Sequence, residues 1–83
     1  RIMKLDIVSP EKVYYSGDVA LVTLPGILGA FTILENHAPI ISALQKGNIV
    51  YKLTNSAENT LHIEGGFAEI NNNTITVCIE NAQ

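Results

Sequence analysis

Eighty-three residues suffice for one small domain, taken to span 1–83, and length alone excludes barrels and doubly wound α/β enzymes. With 47% hydrophobic and 16% charged residues the chain is too apolar for a disordered tail, and it can bury a modest core. The formal charge is −3, and its five basic residues, Arg1, Lys4, Lys12, Lys46 and Lys52, are scattered singly, which excludes nucleic acid and anionic membrane surfaces as direct partners.

Compartment follows from what else is missing. The lone Cys78 has no internal partner, whereas a secreted domain this small ordinarily carries several disulfides, so a reducing compartment fits. Lys4 and Asp6 interrupt the apolar N-terminus, so no signal peptide is expected. The longest apolar stretch, 20–34, contains Pro25, Gly26 and Gly29 and cannot cross a membrane as a helix. The expectation is a soluble intracellular protein without direct membrane insertion.

In chain order the dominant period is two. Met3, Leu5 and Ile7 alternate with Lys4 and Asp6 as a half-buried strand. Ser16-Gly17-Asp18 offers a turn, and from Val19 to Leu24 both faces are apolar apart from Thr23, as in a strand covered on both sides. Pro25 to Gly29 reads as a glycine-dependent turn before Ala30-Phe31-Thr32-Ile33-Leu34. Helical spacing is hinted only from Leu34 to Gln45, where Pro39 allows at most one short turn. Lys46-Gly47-Asn48 is a turn; Ile49, Tyr51 and Leu53 then alternate with Asn48, Val50 and Lys52, and Thr54-Asn55-Ser56 is another turn. Leu61 and Ile63 mark the next strand, and Gly65-Gly66 a bulge or corner. Asn71-Asn72-Asn73 is a hairpin turn leading into Ile75, Val77 and Ile79. Eleven Ile, six Val and six Thr suit pleated surfaces, and the expected class is an all-β antiparallel sandwich or flattened barrel.

No catalytic or metal constellation emerges. Two histidines, His37 and His62, and one cysteine have no ligand spacing. No serine sits in a nucleophile elbow, and Cys78 in an alternating strand reads as a packing residue. Gly26 and Gly29 lack the Lys-Ser or Lys-Thr of a phosphate cradle, and Glu35, Glu64, Glu69 and Glu80 fall on different runs. No cofactor is expected. The apolar residues of 30–41 crowd a single interior; core packing accounts for them on pattern alone, and a partner-binding patch is the alternative.

Gly29-Ala30-Phe31-Thr32-Ile33-Leu34-Glu35-Asn36-His37-Ala38-Pro39 resembles the signature of the epsilon subunit of F-type ATP synthase, a glycine-led apolar run, two variable residues, then His-Ala-Pro. Leu5 to Glu11 resembles the opening strand of that family and Tyr15-Ser16-Gly17 its first turn; Lys46-Gly47-Asn48-Ile49 and Gly65-Gly66-Phe67-Ala68-Glu69-Ile70 resemble a later turn and a corner. Thr32 departs from a usual glycine, and Ala30 from a polar or acidic residue.

The resemblance implies a sandwich of about ten strands that binds the gamma subunit and the c-ring as a non-catalytic part of the central stalk. It sets Gly29, Ala30 and Phe31, as a turn, towards the c-ring, and Ser9, His37, Ala38, Pro39 and Ser42 towards gamma. It implies a peripheral position at the cytoplasmic face of the bacterial plasma membrane. Family members usually continue into a C-terminal helical hairpin, so a natural end at Gln83 would imply stalk assembly without hairpin inhibition or nucleotide binding. The competing reading is a sandwich that binds a small molecule or glycan; it calls for exposed aromatic faces, whereas Trp is absent and the tyrosines are Tyr14, Tyr15 and Tyr51.

Overall fold

The computed structural model describes residues 3–80; Arg1, Ile2 and the terminal Asn81, Ala82 and Gln83 lie outside the described residues. Nine strands follow one another: β1 (Met3–Val8), β2 (Val13–Val19), β3 (Leu21–Gly26), β4 (Gly29–Ile33), β5 (Ile40–Leu44), β6 (Gly47–Lys52), β7 (Asn59–Ile63), β8 (Gly66–Asn71) and β9 (Thr74–Ile79). They hydrogen-bond in the order β2-β1-β9-β8-β5-β3-β6-β7, with β4 on the other edge of β3. The sheet curls over so that its two halves face one another as an open sandwich. The all-β expectation holds, with nine strands among the described residues where about ten were expected.

Alternation built the interior as the sequence suggested. Met3, Leu5 and Ile7 from β1 and Ile75, Val77 and Ile79 from β9 are buried, and they meet Val22 and Leu24 from β3, Ile33 from β4, Ile49 from β6 and Ile63 from β7. Each such side chain removed from water contributes about 1.5–3 kcal/mol. Tyr15 of β2 packs on Tyr51 of β6 with ring centroids 4.6 Å apart, so the two halves also touch through an aromatic pair.

Several local expectations change. β1 and β9 pair in parallel, Leu5 opposite Ile75 and Ile7 opposite Val77, although an antiparallel sheet was expected. They are the first and last strands, so the intervening chain supplies the long crossover that a parallel pair requires. Ser16-Gly17-Asp18 is no turn, nor is Tyr15-Ser16-Gly17: β2 runs through both, with Ser16 opposite Asp6 and Gly17 opposite Leu5. The Ser16 hydroxyl donates to Asp6 Oδ1 at 2.6 Å across that pair. The real turn lies earlier. There the Ser9 hydroxyl accepts the amides of Glu11 and Lys12 at 3.3 and 3.2 Å, and the Ser9 N–H donates to the Lys12 carbonyl at 2.9 Å.

The stretch from Val19 to Leu24 is not covered on both sides. Val19, Val22 and Leu24 are buried while Ala20, Leu21 and Thr23 are only half-buried, because the chain changes strand at Ala20 and the period restarts in β3. No helix forms in 34–45. The chain makes a single turn at Glu35-Asn36 and then extends as β5.

The two expected glycine and asparagine features are both present. Asn72 and Asn73 have φ of 50° and 60°, between the paired Asn71 and Thr74, which is a two-residue type I′ hairpin. Gly66 has φ 150°, and a Cβ there would lie 2.2 Å from the Cys78 carbonyl oxygen, so β8 can lie against β9 only with glycine at this corner. Gly66→Ala is therefore expected to cost at least about 2 kcal/mol in urea denaturation, through strain and displacement of β9; an unshifted midpoint would show that the Cys78 carbonyl yields freely.

Partial burial, and secondarily the nearby Tyr15, raise the Tyr51 phenol above its ordinary value near 10. The folded chain thus holds this proton more tightly than the unfolded chain. The associated stability is present below pH 10 and is lost as pH rises through the folded value. Denaturation midpoints between pH 8 and 11 should fall at the alkaline end, and less steeply in Tyr51→Phe.

Candidate functional site

The site begins at the β3–β4 hairpin. Gly26 pairs with Gly29, so Ile27 and Leu28 alone form the tip, and the positive φ of 130° falls on Gly29, where an L side chain would be strained. Turn positions usually carry polar residues, yet Ile27 is 56% exposed and Leu28 fully so. The base of the hairpin is sewn to the end of β5. Ile27 N–H donates to the Ala43 carbonyl at 3.0 Å, and Gln45 donates from its backbone to Pro25 at 2.9 Å and from Nε2 to Gly26 at 3.1 Å. The tip is therefore an apolar projection on a fixed base.

Beside it Phe31 of β4 and Ile40 and Ile41 of β5 complete a groove of about 530 Å³. Ile41 is 73% exposed. It leads onto the outer face of the sheet, where the register aligns Val8, Cys78, Phe67 and Ala43 in one row across β1, β9, β8 and β5. Paired residues share a face, so this row is an apolar band with Phe67, 53% exposed, at its centre. A second hollow beside Pro10, Phe67 and Ile79 extends it. A contiguous exposed patch of this kind marks an interaction surface, whereas isolated exposed apolar residues do not.

The expected site residues distribute around this surface. Gly29, Ala30 and Phe31 are not a turn but the first residues of β4, so the expected turn moves to Ile27-Leu28; together with Ser42 they line the groove. Pro39 lines a neighbouring hollow with Ile40, Ile41 and Glu69. His37 and Ala38 lie in the connection between β4 and β5, where His37 Nδ1 meets the Ala38 carbonyl at 2.8 Å. Ser9 sits just beyond Val8, on the turn at the β1 end of the band. Ser42 shares its register row with Ala68, Val77 and Ile7, which aims it at the rim of the interior, and its hydroxyl donates to the Ala43 carbonyl at 3.1 Å.

Ile27, Leu28 and Phe67 were not assigned to an interface from the sequence, and Ile41 entered only within 30–41, where a partner-binding patch was the alternative to core packing. The available signal was an Ile-Leu pair between two glycines, where turn chemistry would have favoured Asn, Asp or Gly. Thr32, which stands where the related pattern has glycine, lies opposite Thr23, and their hydroxyls are 2.9 Å apart. It is a cross-strand partner in β4 and leaves the tip undisturbed.

Chemistry other than docking finds little support among the described residues. No group of three or more His, Cys, Asp or Glu converges as metal ligands there. His62 is engaged elsewhere, with Nδ1 2.8 Å from Asn48 Oδ1 and Nε2 3.7 Å from Glu64. The tyrosines offer no open stacking platform: Tyr15 and Tyr51 pack on each other and the Lys12 ammonium lies 4.7 Å from the Tyr14 ring centre. No helix among the described residues is long and apolar enough to cross a membrane.

Fold and surface thus define a small β-sandwich built to be held against other protein surfaces. Residues 2–83 match the family described as the ATP synthase, Delta/Epsilon chain, beta-sandwich domain, and the chain belongs to that family. It is 40% identical over 80 residues to the ATP synthase epsilon chain of Chlorobium limicola, covering 96% of this chain and 91% of that one. It is 40% identical to the epsilon chain of Chlorobaculum tepidum over 76 residues, 92% of this chain and 86% of that one. Against the epsilon chain of Desulfosudis oleivorans it is 41% identical over 81 residues, 98% of this chain but 61% of the relative's length. A chain in the structure of the Euglena gracilis mitochondrial ATP synthase OSCP, F1 and c-ring shares the fold with a TM-score of 0.91 at 19% identity, covering 99% of this chain and 52% of that one. A chain of the Tetrahymena thermophila mitochondrial ATP synthase central stalk and c-ring gives 0.82 at 16% identity, covering 100% and 66%.

If the band is surface and not core, charging it leaves the fold alone. Leu28→Asp and Ile41→Asp should each change the unfolding free energy by no more than about 0.5 kcal/mol while reducing binding of an apolar fluorescent dye; a loss of several kcal/mol would return those residues to the core.

Proposed function

We propose that this chain is a non-catalytic central-stalk subunit of an F-type ATP synthase, binding the gamma subunit and the c-ring and coupling ion-driven rotation to ATP synthesis. The observation that carries this reading is the exposed apolar band running from the β1–β2 turn to the β3–β4 tip of a sandwich whose strands are hydrogen-bonded throughout. A surface that transmits torque must be rigid, and it must lose enough apolar area on assembly to hold, on the order of 1,200 Å² for a specific complex. The family membership and the epsilon-chain relatives supply the identity of the complex.

Ser9, His37, Ala38, Pro39 and Ser42 are assigned to the gamma side, and Gly29, Ala30 and Phe31, with the Ile27-Leu28 tip ahead of them, to the c-ring side. Ser42 and Phe31 border the same groove, so the two contacts adjoin on this chain. The chain sits peripherally, at the cytoplasmic face of a bacterial plasma membrane, held there by protein partners.

Mixing the chain with its gamma subunit and following co-elution by size exclusion tests the reading. A complex is expected at micromolar concentration, and separate elution would sink it. His37→Glu and Ser42→Arg should each weaken that complex at least about tenfold, by placing an unpaired charge in a desolvated contact; the unfolding midpoint should be unchanged in His37→Glu, whereas Ser42, at the rim of the interior, is also expected to lose some stability. Thr60→Glu on β7, away from the band, should leave affinity unaltered.

A further inference from the structure

We propose that Asn73 is a positioning residue for the gamma-facing segment: its side chain clasps the Asn36 turn and so presents His37, Ala38 and Pro39 in one conformation. This rests on the assignment of those three residues to the gamma face. Two observations carry the clasp itself. The first is geometric. Asn36 has φ 67°, its N–H donates to Asn73 Oδ1 at 2.6 Å, and Asn73 Nδ2 donates back to Asn36 Oδ1 at 3.3 Å. This reciprocal pair joins positions 37 apart in sequence, and it meets a connection, 34–39, that has no strand pairing of its own. His37, the next residue, has its N–H on the Leu34 carbonyl at 3.2 Å, which closes the same turn. The conformation of Asn36 thus fixes the direction in which His37 leaves.

The second observation is the identity of residue 73. It occupies the second central position of a type I′ turn with φ 60°, where glycine is the residue the turn itself favours. Asparagine tolerates this backbone less well, so the hairpin alone gives no reason for a side chain here. The side chain is used on another segment. Meanwhile the Asn73 carbonyl accepts the Lys4 N–H at 2.9 Å, a backbone contact that any residue could make. Backbone and side chain of one residue therefore tie the β8–β9 turn to the start of β1 and to the β4–β5 connection.

Asn73→Gly separates the two roles, because it suits the turn and removes only the clasp. Expected results are an unfolding midpoint at or above wild type, amide exchange at Asn36 about fivefold faster or more, and gamma affinity about fivefold weaker by calorimetry with the purified subunit, in line with losing one to two ordered hydrogen bonds. Asn73→Asp keeps an oxygen for the Asn36 N–H, and the Asn36 amide can turn over to donate to the carboxylate, so affinity should return to within about twofold of wild type.

Unchanged gamma affinity in Asn73→Gly, alongside a wild type that binds, would overturn the positioning role. A marked fall in its unfolding midpoint would also overturn it, by making Asn73 a residue of the fold. A wild type that does not bind gamma would sink the gamma assignment and the positioning role together. Exchange at Asn36 still reports on the clasp in that case, and unchanged protection there would remove it.

Discussion

Everything on the functional surface depends on the narrow seam where β3 meets β5. β3 gives one edge to β4. Its other edge is shared, by β6 opposite Leu21 to Thr23 and by β5 at the single pair Gly26 and Leu44. That pair is made by two backbone bonds, Ile27 N–H to the Ala43 carbonyl and Gln45 N–H to the Pro25 carbonyl, and the Gln45 side chain adds a third by donating to the Gly26 carbonyl. Without them no strand-to-strand hydrogen bond would join the two halves of the sheet among the described residues. Backbone hydrogen bonds each add about 1 kcal/mol net, but a buried unpaired carbonyl costs more than a made bond gains, so the seam is held by what its absence would expose. The hairpin tip and the groove beside β5 are consequences of this junction. They keep their spacing because the same residues that close the sheet also form the base of the hairpin.

The interior explains why the outside is free to be apolar. β1 and β9 place aliphatic residues inward at every second position, β3 and β8 contribute Val22 with Leu24 and Ala68 with Ile70, and Val19, Ile33, Leu44, Ile49 and Ile63 serve for β2, β4, β5, β6 and β7. That complement fills the space between the halves, with the Tyr15–Tyr51 contact at one margin. Ile27, Leu28, Ile41 and Phe67 have no interior left to enter. Their exposure is then forced by register: Phe67 and Ile41 occupy odd positions in strands whose even positions, Ala68, Ile70, Ser42 and Leu44, point inward.

Much of this was legible because period-two patterning is unambiguous in a chain with so many β-branched residues. The strands at Met3, Ile49, Leu61 and Ile75, the Asn hairpin and the Gly65-Gly66 corner all follow from alternation and backbone tolerance. Ser16-Gly17-Asp18 failed as a turn because turn-forming residues also sit on the solvent face of an edge strand, where cross-strand contacts such as Ser16 to Asp6 decide the outcome. The parallel β1–β9 pair was illegible since pairing partners are set by tertiary topology, not by local pattern. Of the site, the His-Ala-Pro segment was visible through a family resemblance. The band from Val8 to Ala43 was not, because it exists only once four strands are in register.

The polar residues assigned to the gamma side are already occupied by their own chain, and this constrains how such a surface binds. Ser9 receives two amides of its turn, His37 Nδ1 is on the Ala38 carbonyl, and Ser42 donates to the Ala43 carbonyl. A partner that took over any of these bonds would exchange one hydrogen bond for another, with little net gain. Burial of Ile41, Phe67 or Leu28 offers about 1.5–3 kcal/mol each, less the part already covered. In the proposed complex, affinity therefore resides in the aliphatic and aromatic band. Ser9, His37 and Ser42 contribute shape, since each holds its local backbone in the conformation that the band needs in order to meet a complementary surface.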